Sequence, residues 1–435
     1  MKRFALILAA FATCAQAAEV TSIGGDLPGG GRWAAERPTN WNGTLLLFSR
    51  GYGSPPQVQT APRGTREWLL DHGYAIAGAN YSRPGWALEE AVPDQIATLR
   101  EVSERFGRPR RVIAWGTSMG GLVTVALAER HPDRFAGALP SCGSIAGSIG
   151  MMNMALDGAF AFKTLLAPDS DIRLVNVDDD RANGERVRLA LEAAQQSPGG
   201  RARIALAASL AGLPAWSDPA RPEPLPADVR EQQAQTARSF VFGIFFPRVD
   251  QERRAGGVFS GNDGVDYRVQ LARSGRRAFV AALYREAGLD LDADLRRLNA
   301  APRIAADPQA IAYMRDNYVP SGNLRIPVLS YHEIGDGATS PRLQAGYAEI
   351  VRRAGHAEML RTAWVRRAGH CTFTLGEHVA ALHALEARIS TGRWSTGPIE
   401  LNRDAGAVAP RSGQYIDHDP GPALRPCSAS ERICR

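Results

Sequence analysis

The sequence predicts an α/β fold, in which a mostly parallel sheet has helices on both faces and a helical segment is inserted into the chain. Apolar runs alternate with amphipathic runs over residues 40–142 and again over 323–392. Such alternation is typical of a parallel sheet covered on both sides. Between these parts, residues 143–322 are rich in Ala and Arg and mostly helical in pattern. The 435 residues, 44% of them hydrophobic, suffice for a large core.

The first part of the core is assigned to residues 18–142. Its first stretch, 18 to about 40, is rich in Gly and Pro and is expected to be irregular. "GTLLLFSRGYG" is a buried strand that runs into a glycine loop, and "REWLLDHGYAIAGANYS" predicts a short helix and another strand. An amphipathic helix ending at Gly107, a strand and helix around Ser118, and the strand "FAGALPSC" follow.

The second part of the core is assigned to residues 323–392. "LRIPVLSYHEIGDG" and "LRTAWVRRAGHCTF" each predict a strand followed by a loop, and "SPRLQAGYAEIVRRAG" and "GEHVAALHALEARISTG" predict helices. The remaining residues, 393–435, are expected to form an extended tail.

The first 17 residues have the pattern of a signal peptide. Lys2 and Arg3 provide the positive start, Phe4–Ala12 the apolar run, and "AQA" a site for cleavage. The run is too short to span a bilayer, and the residues before Cys14 fit a lipoprotein signal poorly. We therefore expect an exported protein, periplasmic or secreted, without a stable membrane anchor.

Composition argues against several classes of partner. The formal net charge is +6, but no Lys/Arg block with interleaved aromatic residues occurs, so nucleic acid is not expected. No His-Glu-x-x-His or Cys-x-x-Cys pattern is present, and "VDDDRANGE" lacks the spacing of a calcium loop. Neither a metal nor another cofactor is predicted.

Four cysteines remain after the signal peptide: Cys142, Cys371, Cys427 and Cys434. In an oxidising compartment an even number favours two disulfides, for which three connectivities exist. Cys427 and Cys434 lie close together in the tail and would pair there, which would leave Cys142 and Cys371 for each other. Four free thiols are the alternative.

The stretch "RRVIAWGTSMGGLVTVALAERHPDRF" contains the main candidate for catalysis. An apolar strand stops at Gly116, and a helical pattern starts directly after Ser118. Small residues such as Gly116 and Gly120 let a strand and a helix pass close to a residue on a tight turn, and the helix N-terminus favours negative charge there. Ser118 is therefore predicted to be a nucleophile; a purely structural turn is the alternative.

A serine hydroxyl needs a base that is held by an acid. His370 follows a predicted strand in "RRAGHCTF", and Asp336 lies at a strand end in "PVLSYHEIGDG". The other histidines have positions typical of helix ends, strand ends or surface. Ser118, Asp336 and His370 follow one another in the chain order of the α/β hydrolases.

On these residues the chain resembles the α/β-hydrolase superfamily, and its insertion matches the lid position of that fold. "PVLSYHEIGD" is similar to the family's Pro-Val-Leu-x-x-His-Gly-x-x-Asp segment, although Glu333 replaces a glycine and stays an alternative acid. "FSRGYG" is similar to the family's His-Gly-x-x loop, with Arg50 in place of histidine. The resemblance implies an oxyanion hole from the backbone N–H groups of Tyr52 and Met119; a simple glycine turn is the alternative for the first.

The resemblance also places Cys142 and the loop of His370 on the same rim, so a Cys142–Cys371 disulfide would brace the histidine loop. A His-Cys pair is similar to that of secreted tannase and feruloyl-esterase proteins, but those have their second cysteine directly before the serine, where Thr117 stands here. Their substrate is therefore not inferred.

"SFVFGIFFP" and "GMMNMAL" are the most apolar stretches of the insertion, and with Trp86 and Trp216 they would line an acyl or aryl pocket or, more commonly, pack within the lid. The first hypothesis is an exported serine hydrolase of a small or oligomeric carboxylic ester. A lidded secreted aminopeptidase with the same triad is the second, and an acid such as Asp157 or Glu231 would then bind the substrate amine. A binding protein without activity is the third.

Overall fold

A computed structural model describes residues 19–427 except 246 and 395–396. The strands in these residues are β1 Val20–Asp26, β2 Arg32–Pro38, β3 Thr44–Ser49, β4 Ala75–Ala79, β5 Arg111–Thr117, β6 Gly137–Ser141, β7 Val328–Gly335, β8 Leu360–Ala368 and β9 Tyr415–Ile416. They form one nine-stranded sheet with the order β1-β2-β4-β3-β5-β6-β7-β8-β9. The strands from β4 to β8 pair in parallel, and β1, β2 and β9 add antiparallel edges.

Helices cover both faces of this sheet because its central strands are apolar on both sides. In β3, Leu45 and Leu47 pack on one face and Leu46 and Phe48 on the other, each within a separate hydrophobic cluster. The helices on the two faces are α1 Arg66–Asp71, α2 Leu88–Phe106, α3 Met119–Arg130, α14 Arg342–Arg353, α15 Leu375–Thr391 and α16 Pro398–Val408, with a 3₁₀ turn at Ala357–Met359.

Ten helices lie between β6 and β7 in the described part of the chain. They enclose a hydrophobic cluster of their own, in which the ring centroids of Phe162 and Phe240 lie 5.1 Å apart. They are α4 Ser148–Leu166, α5 Asp180–Gln195, α6 Pro198–Leu210, α7 Val229–Arg238, α8 Phe240–Ile244, α9 Val249–Ala255, α10 Tyr267–Arg273, α11 Arg277–Glu286, α12 Leu291–Ala300 and α13 Pro308–Tyr318. The predicted fold class, an α/β-hydrolase fold with a helical insertion, is confirmed.

The structure differs from the sequence prediction at both ends. Residues 20–38, expected to be irregular, form the hairpin of β1 and β2, because alternate side chains such as Trp33 and Ala35 are buried against the sheet. The tail, expected to be extended, contains α16 and β9. Only Leu401 and Ala405 of α16 are buried, so its apolar periodicity is weak in the sequence.

The predicted signal peptide, residues 1–17, lies outside the described residues. Among the helices of the described part, none has the length and apolar character needed to cross a bilayer.

Candidate active site

Ser118 lies on a sharp turn between β5 and α3. Its backbone has φ 58° and ψ −125°, which is a costly conformation for a residue with a side chain. The turn requires glycine on both sides: a Cβ on Gly116 would lie 2.1 Å from the Gly120 carbonyl, and one on Gly120 would lie 2.0 Å from that of Ser49. The local sequence thus forces strand and helix together and presents the Ser118 side chain at the end of the parallel strands.

The structure brings Ser118, His370 and Asp336 into one hydrogen-bonded chain. Nε2 of His370 lies 2.8 Å from Oγ of Ser118, and Nδ1 lies 2.8 Å from Oδ2 of Asp336. Asp336 directly follows β7 and His370 lies in the loop after β8, so neighbouring strands of the sheet deliver them to the same edge. A histidine so placed can take the serine proton while the carboxylate fixes its tautomer.

Asp336 is fully buried and saturated with donors. Its Oδ1 accepts the backbone N–H groups of Ala338 and Thr339, and the Thr339 hydroxyl lies 2.8 Å from Oδ2. Nε2 of His332 also lies near this carboxylate, 3.3 Å from Oδ2. Burial alone would raise the pKa of Asp336, but His370 and His332 outweigh it and hold this pKa well below its usual range. Sequence reasoning missed Thr339 and gave His332 only a buried strand-end position.

The pairing with Asp336 shifts the pKa of His370 in the opposite direction, upwards. Burial lowers its pKa, but the charge and hydrogen bond of Asp336 outweigh burial, so the pKa of His370 lies above 6.5. Its side chain remains about a quarter exposed, at 26%, and borders the cavity described below. The imidazole can therefore reach both the serine and a substrate.

Glu333, the alternative acid, is buried on β7, three residues before Asp336, and does not take the place of Asp336. Its Oε1 accepts the backbone N–H of Thr372 at 2.5 Å. Burial and the charge of Asp336 raise the pKa of Glu333 well above its ordinary value, which favours its neutral form. Through Thr372, Glu333 supports the loop that contains His370.

A disulfide joins Cys142 to Cys371, the pair expected from the sequence. Cys142 directly follows β6, and the Thr339 hydroxyl lies 2.8 Å from its carbonyl oxygen. Sγ of Cys371 lies 3.6 Å from Nε2 of His370. The bond thus connects the loops after β6 and β8 beside the imidazole. Cys427 is also disulfide-bonded, and its expected partner, Cys434, lies outside the described residues.

The loop after β3 runs alongside the serine. A Cβ on Gly51 would touch that of Ser118 at 3.3 Å, and Tyr52 lines the same cavity as Ser118. Met119, whose side chain is buried, is the first residue of α3. Its backbone N–H is therefore one of those at the helix N-terminus that have no acceptor within the helix. Of the two residues predicted to supply the oxyanion hole, Met119 thus follows Ser118 directly and Tyr52 lines the same cavity, and their roles stay a prediction.

Arg50 organises this loop. The residue is 1% exposed. Its guanidinium lies 4.3 Å from the ring centroid of Tyr81 and donates to the carbonyl oxygens of Gly51, Gly53 and Asn80 at 2.8 to 2.9 Å. Burial lowers the pKa of Arg50. From the sequence alone, we could say only that Arg50 stands where the similar loop of the α/β hydrolases has a histidine. Its contact with Asn80, thirty positions away, depends on the fold.

A cavity of about 650 Å³ opens above Ser118 and His370. Both apolar stretches of the insertion reach it, through Met151, Met152 and Phe242. Its remaining lining residues are Arg50, Gly51, Tyr52, Ser54, Pro55, Gln59, Trp86, Ser144, Ala155, Gly243, Pro247, Ala338, Thr339 and Cys371. The described residues of this lining include no Asp or Glu.

The remaining sequence candidates lie elsewhere. Asp157 of the insertion accepts two hydrogen bonds from Arg425 of the C-terminal tail, and Glu231 pairs with Arg221 at 2.8 Å. Trp216 lines a second cavity. Phe240 packs in the core of the insertion, so the stretch that contains it contributes both to that core and to the main cavity.

One sequence relative extends over nearly the whole chain. The o-phthalyl amidase of Xanthobacter agilis is 31% identical over 422 residues, which is 88% of this chain and 90% of the amidase. The model of the prolyl oligopeptidase family matches residues 72–158, a range that contains Ser118 and Cys142.

Solved structures with similar topology are more distant. Feruloyl esterase B from Aspergillus oryzae is 14% identical, with coverage of 86% of this chain and 81% of that one and a TM-score of 0.44. The acylaminoacyl peptidase of Pyrococcus horikoshii is 11% identical, with coverage of 82% and 38% and a TM-score of 0.38. At such values neither structure bears on the substrate of this chain.

Proposed function

The chain belongs to the α/β-hydrolase superfamily, in one family with the o-phthalyl amidase, and we propose that it is a serine hydrolase of carboxylic acid derivatives. One observation carries the proposal: Ser118, His370 and Asp336 form a continuous hydrogen-bonded chain at the floor of a cavity. The constellation is that of nucleophile, base and orienting acid.

In the proposed reaction, Oγ of Ser118 attacks the substrate carbonyl carbon while Nε2 of His370 takes the hydroxyl proton. The backbone N–H groups of Tyr52 and Met119 stabilise the resulting oxyanion. His370 then returns the proton to the leaving alcohol or amine, and an acyl group remains on Ser118. Water, activated in turn by His370, cleaves this ester, releases the carboxylic acid and restores the serine.

An ester is the substrate bond that we infer from the sequence, and an amide is the second candidate. The amide is favoured by the relative, which is named for its action on an o-phthalyl amide bond. The same machinery serves both, because His370 protonates either leaving group. The apolar lining, with Met152, Phe242 and Trp86, suits an acyl group with a hydrophobic body.

The aminopeptidase alternative finds less support. It needs a carboxylate that binds the substrate's amine, but Asp157 and Glu231 are engaged with arginines away from the cavity. The described lining of the cavity contains no Asp or Glu that could take this role.

We also propose that the protein is exported and loses residues 1–17 on the way. The Cys142–Cys371 disulfide supports this, since such bonds persist in oxidising compartments.

The test compares p-nitrophenyl esters with p-nitroanilides of the same acids, acetic, butyric and benzoic. Wild type, Ser118→Ala and the control Ser390→Ala, changed at the end of α15, are assayed side by side. We expect turnover in wild type and the control, and a loss of at least about 10⁴-fold in kcat in Ser118→Ala. Retained turnover in a purified Ser118→Ala variant would refute the proposal, and the ratio of ester to anilide rates decides between the two bonds.

A further inference from the structure

A second cavity, of about 560 Å³, lies between the insertion and the core, and it is separate from the one at Ser118. The segment around Trp216, the start of α11, the start of α14 and the tail near His418 form its walls. Neither Ser118 nor His370 borders it. It therefore has no part in the reaction proposed above.

Two arginines, Arg276 and Arg342, line this cavity. Arg276 donates to the neutral amide oxygen of Gln232 at 3.0 Å. Arg342 donates to the backbone carbonyl oxygens of Pro422 and Ser274. Among the described residues no carboxylate forms an ion pair with either guanidinium, although Asp419 lies near enough to Arg342 to act on it electrostatically.

The two guanidiniums are partly buried and close enough to repel each other. Burial, and after it the charge of Arg342, lowers the pKa of Arg276 to about 10. Of the two carboxylates in the lining, Glu223 is already paired with Arg366 at 2.7 Å, and Asp419 accepts the backbone N–H of Gly421. Partial burial of two cations lowers the stability of the folded state unless an anion offsets their charge and accepts their remaining hydrogen bonds.

Aromatic and apolar side chains form the rest of the wall. The guanidinium of Arg276 lies 4.0 Å from the ring centroid of Phe279, and Trp216, Leu213 and several prolines complete the surface. In addition, α11 and α14 both begin at this cavity with no side-chain cap, so their positive ends add to the field. An apolar wall beside two forked cations matches a ligand with a hydrophobic body and an acidic head.

We propose that this cavity binds a small organic carboxylate, whose carboxylate group is held by Arg276 and Arg342 and whose body lies against Phe279 and Trp216. The site is independent of turnover, so a failure of the proposed reaction at Ser118 would leave it unaffected.

The test is titration calorimetry at low ionic strength with three probes: benzoate, inorganic phosphate and the neutral benzamide. It uses wild type, Arg276→Gln, Arg342→Gln and the control Arg277→Gln, whose side chain pairs with Asp292 outside this cavity. We expect each cavity variant to weaken benzoate binding by about tenfold or more, since one charge-assisted hydrogen bond is lost, and the control to bind as wild type does. Benzamide, which lacks the negative charge, should not displace benzoate from the cavity.

Equal benzoate affinity in wild type and the two cavity variants would overturn the proposal. So would binding of benzamide as tight as that of benzoate, or arginine-dependent binding of phosphate alone. If a glutamine variant fails to fold, a crystal of wild type grown with benzoate decides instead. Density for the carboxylate between the two guanidiniums would support the site, and an empty cavity at saturating benzoate would refute it.

Discussion

At the residue scale, two buried carboxylates near His370 have different environments. Asp336 contacts the imidazole and is surrounded by donors, whereas Glu333 contacts the backbone N–H of Thr372. The same functional group, a buried carboxyl, therefore stays ionised in Asp336 and favours its neutral form in Glu333. The distinction assigns orientation of His370 to Asp336 and support of the loop to Glu333.

Replacement of each acid by its amide separates these roles. We expect Asp336→Asn to lower kcat/KM by about 10³ to 10⁴-fold, because an amide favours the wrong histidine tautomer. Glu333→Gln keeps an acceptor for Thr372 and should stay within about tenfold of wild type. Steady-state kinetics on one ester checks both variants. A larger loss in Glu333→Gln than in Asp336→Asn would reverse the assignment.

The pH dependence follows from the sign of the shift at His370. Its pKa is raised above 6.5 by Asp336, and only the neutral imidazole can accept the serine proton. kcat/KM should therefore be full above this raised pKa and fall about tenfold per pH unit below it. In Asp336→Asn the raising charge is gone while burial still lowers the pKa, so the midpoint should move to lower pH. A midpoint that stays in place would show that another group titrates.

At the scale of elements, the loop after β3 depends on a single buried side chain. Arg50 donates to the carbonyl groups on both sides of Tyr52 and so sets where the N–H of Tyr52 points. We expect Arg50→Met to lower kcat by about 10²-fold with little change in KM, because an oxyanion donor acts mainly in the transition state. The control is Arg63→Gln, an exposed residue in the segment before α1. Equal kinetics in Arg50→Met and wild type would exclude this role.

The disulfide ties two loop elements together across 229 positions of the chain. Removing it in the double variant Cys142→Ser/Cys371→Ser should lower the free energy of unfolding by about 2 to 5 kcal/mol, since the unfolded chain regains freedom. Urea unfolding followed by circular dichroism measures this change. Stability equal to that of wild type would show that the bond does not brace the loops.

Helices of the insertion line the main cavity and should govern which acyl groups fit. Phe242 contributes to that lining while it is 54% exposed. We expect Phe242→Ala to lower kcat/KM for benzoyl esters by about 10-fold or more relative to acetyl esters, because a hydrophobic contact to the larger group is lost. Leu189→Ala, equally exposed at 54% on α5, is the control. An unchanged benzoyl-to-acetyl ratio would remove Phe242 from the acyl site.

At the scale of the whole molecule, local patterns predicted the fold class, and long-range contacts account for much of what they missed. Glycine spacing around Ser118 and strand-end positions of Asp336 and His370 were visible because they follow chain order. The hairpin of β1 and β2 was missed, since β2 is buried by pairing with the distant strand β4. Helix α16 was missed because it buries only two of its side chains, which leaves a weak apolar pattern. The same holds for the contact of Arg50 with Asn80.

The central claim, that Ser118 is the nucleophile of this hydrolase, is tested most directly by covalent labelling. The purified protein is treated with a fluorophosphonate and its intact mass is measured, followed by mapping of the modified peptide; Ser118→Ala is treated in parallel. The account predicts one label per chain, located on Ser118 and absent from the variant. Labelling at another residue, or equal labelling of wild type and Ser118→Ala, would contradict it.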